Sequence, residues 1–221
     1  MTPLAKLLDE LDHLATVEHA LCVEYLFLDC ALVERGPGIN LAMASMYPLR
    51  RLNEALVAAG GASNLTPAAQ VRGTPPVAFA PLDATQLDGL LAREYAIAQA
   101  VDARYAVVGS LLASVTDLDP DLHSQLTGAI EDGGGHAAAF ASLRDELPEK
   151  FLRPVREPVD EADDTLRSLS LGSYGLIVRL LEEHFAVPGG LNMLALARDA
   201  MTTLRGVMFL LAERNLLPRF D

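Results

Sequence analysis

The sequence has no tryptophan, only 5% aromatic residues and only two cysteines in 221 residues. Few aromatics beside 51% hydrophobic residues, mostly Leu, Ala and Val, favour helices packed on helices. Cys22 and Cys30 lie on one predicted helix, roughly 12 Å apart along its axis, which is too far for a disulfide. We therefore expect a reduced, cytoplasmic protein.

Basic residues are scarce as well, because 17 Lys and Arg face 30 Asp and Glu and the formal net charge is −13. This balance argues against nucleic acid, anionic membrane surfaces and highly anionic substrates as partners. No stretch approaches the roughly 18 uncharged apolar residues of a membrane span, and the N-terminus lacks the basic start and apolar core of a signal peptide. Gly-rich phosphate loops, a serine nucleophile elbow and zinc-type spacings are also missing from the sequence. The charge balance is otherwise a statement about solubility and identifies no partner.

What the sequence does contain is a series of helical apolar stripes separated by Gly- and Pro-rich segments. Pro48 should kink or split the second helix, and Gly172 and Gly175 should break the fifth. The segment 60–83, with three glycines and four prolines, predicts a long irregular crossover that would act as a lid. The six predicted helices span residues 3–34, 39–59, 84–115, 120–147, 166–185 and 192–215.

Three of these stripes each contain one polar residue among apolar ones. The first helix carries Glu18, the third carries Glu94 and the fourth carries His136. Spacings of three and four residues place each of them on an apolar face. An unpaired, ionised carboxylate buried in a bundle would cost several kcal/mol, so it normally meets a cation, a metal ion or a proton. We therefore expect the two glutamates and the histidine to converge inside the bundle.

One interpretation of this set is a metal site. Carboxylate-bridged sites in helical bundles use one Glu from each of two helices and a Glu-x-x-His pair from each of the other two. Here Gly133 lies three residues before His136, at the position where this pattern has Glu, and the second helix carries no Glu-x-x-His pair. A single iron or manganese ion, and one ion at most, would then be held by Glu18, Glu94 and His136, with Asp132 as the nearest substitute for the missing Glu.

The other interpretation is a bundle that works without metal. Glu18 and Glu94 would then share a proton or accept hydrogen bonds from neighbouring side chains inside the bundle. The candidate hydrogen-bond partners are Tyr25, Tyr105 and His136. The residues alone leave both interpretations open.

Four stretches of the chain resemble a known family. They are VEHALCVEYLFLDCAL (17–32), LNEALVAAGGASNLTP (52–67), IEDGGGHAAAFASL (130–143) and LARDAMTTLRGVMFLLAERNLLP (196–218). The chain resembles the ferritin-like superfamily and, more narrowly, the iminophenyl-pyruvate dimer synthase group of indolocarbazole and violacein pathways. Glu18 and Tyr25 match the Glu and Tyr of that group's first helix. The pattern Asp-Glu-x-x-His falls on Asp132, Gly133 and His136, so the metal-binding Glu is missing.

The resemblance implies an all-α, ferritin-like four-helix bundle with a long crossover between helices 2 and 3, plus two C-terminal helices. We expect the bundle over residues 1–147 and a helical extension over 148–221 packed on the same core, as a single domain overall. Bundles of this kind often form homodimers, and a homodimer is the assembly we consider here.

The resemblance also implies an enzyme of specialised metabolism acting on a small amino-acid-derived substrate. The chemistry would be oxidative at a mononuclear metal site, or acid–base chemistry without metal. Glu18, Glu94, His136 and Tyr25 are the expected catalytic residues. The alternative is a non-enzymatic scaffold or small-molecule-binding protein of the same fold.

The remaining histidines and methionines are assigned to ordinary structural roles. The histidines off the stripes are expected at the surface, and the methionines of the last helix are expected in the core rather than in a ligand surface. These residues are His13, His19 and His123, and Met193, Met201 and Met208.

Overall fold

The computed structural model describes residues 2–31, 37–61, 87–146, 155–186 and 193–219. These residues form helices and contain no strand, so the predicted all-α class is confirmed. None of the described helices combines the length and apolar character that crossing a bilayer requires. Beyond Gly61, the predicted crossover 60–83 lies outside the described residues. The helices are α1 (Pro3–Ala31), α2 (Pro37–Ala58), α3 (Leu87–Ser114), α4 (Pro120–Gly133), α5 (His136–Glu146), α6 (Glu161–Ala186) and α7 (Met193–Glu213).

The core is built around α1, which packs most extensively on α2 and also on α3. Leucines at the predicted three- and four-residue spacing along α1 have no exposed surface, as Leu7, Leu11, Leu14 and Leu21 show. α4 packs on α2 and α3, and α5 packs on α3. α6 and α7 pack on each other, and buried residues of both helices belong to the same apolar cluster as α1.

Pro48 does not split the second helix, so that half of the expectation is wrong, and the kink stays a prediction. α2 runs without interruption from Pro37 to Ala58. A proline inside a helix removes one backbone hydrogen bond and costs about 3 kcal/mol. Ala42 before it and Leu52 after it are both buried against neighbouring helices, and this apolar burial offsets the cost.

Gly172 and Gly175 do not break the next predicted helix either, because α6 is continuous through both. Each glycine costs about 1 kcal/mol relative to alanine, and the packing of α6 on α7 offsets that cost. The helix also begins at Glu161 rather than at residue 166. The carboxylate of Asp160 accepts the N–H of Asp163 at 2.8 Å and so caps the additional turn.

The predicted helix over 120–147 is divided into two. α4 ends at Gly133, α5 begins at His136, and Gly135 has a φ of +97°, a conformation that favours glycine. Three consecutive glycines, Gly133 to Gly135, are unfavourable inside a helix, so this sequence predicts a bulge, a break or a close approach of another group. The structure has the break, and the break determines where the histidine lies.

Candidate functional site

Glu18 lies on the buried face of α1 and has no exposed surface. Its Oε1 atom accepts a hydrogen bond from the hydroxyl of Tyr105 on α3 and lies 2.8 Å from Nε2 of His136 on α5. These three side chains join three helices and are called the carboxylate centre below. The metal-free interpretation predicts hydrogen bonds to the buried glutamates from Tyr25, Tyr105 or His136. Glu18 forms hydrogen bonds with Tyr105 and His136.

His136 is held in place by the chain break and by a carboxylate from another helix. Asp102 of α3 accepts the backbone N–H groups of Gly135, of His136 and of the next residue at 2.9 to 3.0 Å. A carboxylate on the first free N–H groups of a helix stabilises its N-terminus. Asp102 therefore fixes the start of α5, which aims the imidazole at Glu18.

Gly133 provides the space that the Tyr105 ring occupies. A β-carbon at position 133 would overlap two ring carbons and the hydroxyl oxygen of Tyr105. The ring lies alongside that of His136, with centroids 6.2 Å apart and planes inclined by 21°. Position 133 is where the Glu-x-x-His pattern has its glutamate. The space that a side chain would need at this position is filled by the phenol of Tyr105.

The charges around the carboxylate centre determine its protonation. Burial lowers the pKa of His136, but the hydrogen bond and charge of Glu18 and the charge of Asp102 raise it by more, so the net shift is upward. Burial raises the pKa of Tyr105 far above its usual value, and the charge and hydrogen bond of Glu18 raise it further. The centre therefore favours a protonated imidazole and a neutral phenol around one carboxylate.

Tyr25 and Glu94 form a second buried group near the carboxylate centre. The Tyr25 ring stacks on Phe140 with centroids 6.1 Å apart, and Glu94 is 3% exposed. Burial raises the pKa of Tyr25, and the charges of Glu94 and then Glu18 raise it further, as nearby carboxylates would. Within the described ranges, neither the Tyr25 hydroxyl nor Oε2 of Glu18 has a hydrogen-bond partner. Two buried polar atoms are therefore unsatisfied in an apolar interior.

Asp132 is placed away from its expected role. Its side chain is 41% exposed and forms an ion pair with Arg51 of α2. The residue lies four positions before His136, but the helix ends between them, so the two side chains do not share one helical face. Asp132 links α4 to α2 at the surface, and its expected role as a metal ligand stays a prediction.

Among the described residues, no group of three or more His, Cys, Asp and Glu side chains is placed to hold a metal ion. Nε2 of His136 is engaged with Glu18, and position 133 supplies no ligand. A mononuclear site needs at least a third protein donor beside Glu18 and His136. In the described part of the chain, the structure therefore brings Glu18 and His136 together without assembling the expected set of iron or manganese ligands.

Two residues of structural importance were not predicted from the sequence. Asp102 lies three positions before Tyr105, so the two residues share a face of the helix. This spacing could have identified Asp102 as a residue close to the buried face. His19 was expected at the surface, but it is 5% exposed and stacks on Tyr174, with its Nε2 3.0 Å from the tyrosine hydroxyl. The surface assignment of His19 is therefore wrong, because Tyr174 of α6 packs on its ring.

Comparisons with other proteins add no family assignment to this geometry. No protein-family model matches the chain, and neither a curated protein nor a solved structure matches it.

Proposed function

We propose that this protein is an acid–base enzyme that works without a metal ion on a small amino-acid-derived substrate. Oε2 of Glu18 is the proposed base. Tyr105 and His136 hold the other oxygen of the same carboxylate, and Tyr25 and Glu94 bind the polar group of the substrate. The resemblance supports a ferritin-like four-helix bundle formed by α1, α2, α3 and the α4–α5 pair, with a role in specialised metabolism in the cytoplasm.

One observation carries the proposal: among the described residues, Oε2 of Glu18 and the Tyr25 hydroxyl are buried without a hydrogen-bond partner, while Oε1 of the same glutamate is bound by His136. A buried donor or acceptor without a partner costs about 1–3 kcal/mol, and such groups in native proteins often mark a catalytic or ligand site. A substrate that donates an N–H or O–H to Glu18 and accepts a hydrogen bond from Tyr25 would satisfy both atoms. Amino and hydroxy acids carry such donors and acceptors on adjacent atoms.

The proposed step is a proton transfer within the substrate. Oε2 of Glu18 removes a proton and becomes a neutral carboxylic acid, and the Tyr25 hydroxyl donates to the substrate oxygen on which negative charge develops. Return of a proton from the Glu18 carboxylic acid to a different substrate atom completes an isomerisation, so no other reactant is required, and exchange of that carboxyl proton with D₂O would label the substrate. His136 stays protonated throughout, which agrees with the upward shift of its pKa.

The first test measures metal content. Protein purified without chelator is analysed for iron, manganese and zinc, beside the Glu18→Gln variant. We expect well under one ion per chain in both proteins. About one ion per chain in the wild type, lost in the variant, would overturn the metal-free assignment.

The second test measures proton exchange. Amino acids and the corresponding 2-oxo acids are incubated with the enzyme in D₂O, and deuterium incorporation is followed by NMR. We expect Glu18→Gln to lower the exchange rate at least about 100-fold, as removal of a general base does. The matched control is Glu10→Gln on the same helix, whose partner is Arg104 at 2.7 Å, and it should retain exchange. No exchange with the wild type, or equal loss in both variants, would contradict the proposal.

A second candidate function is a binding protein without catalysis. It is favoured by an apolar cleft of about 900 Å³ between α2, α6 and α7, whose walls contain no residue of the carboxylate centre. In that case Glu18, Tyr105 and His136 serve to join three helices. Absence of exchange with the wild type, together with ligand binding that is the same in the wild type and in a correctly folded Glu18→Gln variant, would favour this function.

A further inference from the structure

The cleft between α2, α6 and α7 has the size and lining of a small-molecule site. Its volume of about 900 Å³ lies within the roughly 300–1,000 Å³ typical of such sites. Its apolar walls include Leu49, Leu181 and Phe185. A concave apolar surface of this size favours a small ligand over a flat protein partner.

Methionines form much of the cleft. Four of the six methionines of the chain line it, and they are Met43, Met46, Met201 and Met208. Met201 and Met208 were expected in the core. Met208 is 3% exposed and Met201 half-buried, so they belong to the core and also form the floor of the cleft. Flexible thioether side chains adapt to ligands of different shape.

The charged residues of the cleft have a single sign. Arg50, Arg198 and Arg205 line it, and no acidic residue among the described ones does, although acidic residues outnumber basic ones by 30 to 17 in the chain. Arg50 is paired with Glu54 at 3.3 Å. In the described part of the chain, Arg198 and Arg205 form no ion pair. They lie two turns apart on one side of α7, roughly 10 Å along its axis.

We propose that this cleft binds a monoanionic amphiphile, a small molecule with an apolar body and a single carboxylate. The body lies on the methionine-rich floor, and the carboxylate pairs with Arg198 or Arg205. A guanidinium group matches a carboxylate with two parallel hydrogen bonds. The net charge of −13 disfavours more highly charged anions, which is why one carboxylate is assigned. The assignment is independent of the proton-transfer proposal, because the two sites share no residue.

Calorimetric titration of the full chain with three probes of equal chain length tests the proposal. The probes are decanoate, decanamide and decyltrimethylammonium, in buffer of low ionic strength. We expect decanoate to bind most tightly, and its affinity to fall with added NaCl while that of decanamide stays constant. Equal affinity for decanoate and decanamide, or no binding of either, would overturn the proposal.

Matched variants locate the site. Arg198→Gln and Arg205→Gln should each weaken decanoate binding about threefold and leave decanamide unchanged, since exposed ion pairs contribute modestly. Arg179→Gln on α6 removes the same charge outside the cleft and should bind both probes like the wild type. Ala195→Trp, at an exposed position in the cleft wall, should block both probes. An equal effect of the Arg179 and Arg198 variants would contradict the assignment.

Sedimentation velocity distinguishes a small ligand from a second copy of the chain in the same cleft. We expect the sedimentation coefficient to be the same with and without decanoate. A dimer that decanoate dissociates, and that Ala195→Trp also dissociates, would replace the ligand proposal with a subunit interface.

Discussion

Replacement of Gly133 by alanine should destabilise the protein, although alanine is the better helix former. The added β-carbon would overlap the ring and hydroxyl oxygen of Tyr105. Because the ring is packed beside His136 and the hydroxyl is bound to Glu18, the phenol can move only by leaving the carboxylate. Gly133→Ala is therefore a test of the whole carboxylate centre.

The expected magnitude follows from two losses and one gain. A hydrogen bond to a charged group contributes about 1.5–3 kcal/mol, and it is lost when the phenol moves. Inserting a methyl group into a filled space costs about 1–3 kcal/mol more. Alanine recovers about 1 kcal/mol of helix propensity. The net prediction is a loss of about 2–5 kcal/mol in the free energy of unfolding.

Urea denaturation followed by circular dichroism measures this loss. Gly134→Ala is the matched control, because a β-carbon there meets nothing within 4 Å and φ is −81°. The control should change stability by less than about 0.5 kcal/mol. In a Tyr105→Leu background the cost of Gly133→Ala should fall by at least about 1 kcal/mol, as expected for residues in contact. Equal destabilisation by the two glycine substitutions would refute the reasoning.

Three further predictions concern charge, capping and helix propensity. Because the folded-state pKa of His136 is raised above its usual 6.5, its protonated form stabilises the fold below about pH 6.5, and this contribution is lost as pH rises through the folded pKa. Urea titrations between about pH 6 and 9 should show a decline in stability for the wild type that is reduced in His136→Gln. Asp102→Ala should cost about 1–2 kcal/mol by uncapping α5 and should lower the pKa of His136 in an NMR titration. Gly172→Ala and Gly175→Ala should each stabilise the protein by about 1 kcal/mol in thermal denaturation, since a β-carbon meets nothing at either position; destabilisation by either would contradict the absence of steric constraint.

The candidate site was partly predictable, because burial follows from periodicity. The stripe on α1 identified Glu18 as a buried carboxylate, and it has no exposed surface. The stripes on the other helices also predicted Tyr105 and His136 as neighbours for it. The ion pair of Asp132 with Arg51 was not predicted, because it depends on where the helix ends after Gly133 and on an arginine from another helix. Neither the end of the helix nor the partner can be derived from spacing alone.

The local sequence determined the helical class, because Leu and Ala recur at three- and four-residue intervals and few residues favour strands. Tertiary structure decided which apparent breakers act. Pro48, Gly172 and Gly175 lie in continuous helices, because neighbouring helices offset their cost. α4, in contrast, ends at Gly133, where Gly134 is extended and Gly135 has a positive φ. Tertiary structure also decided the partners of Glu18, since side chains 87 and 118 positions away along the chain meet it only after packing.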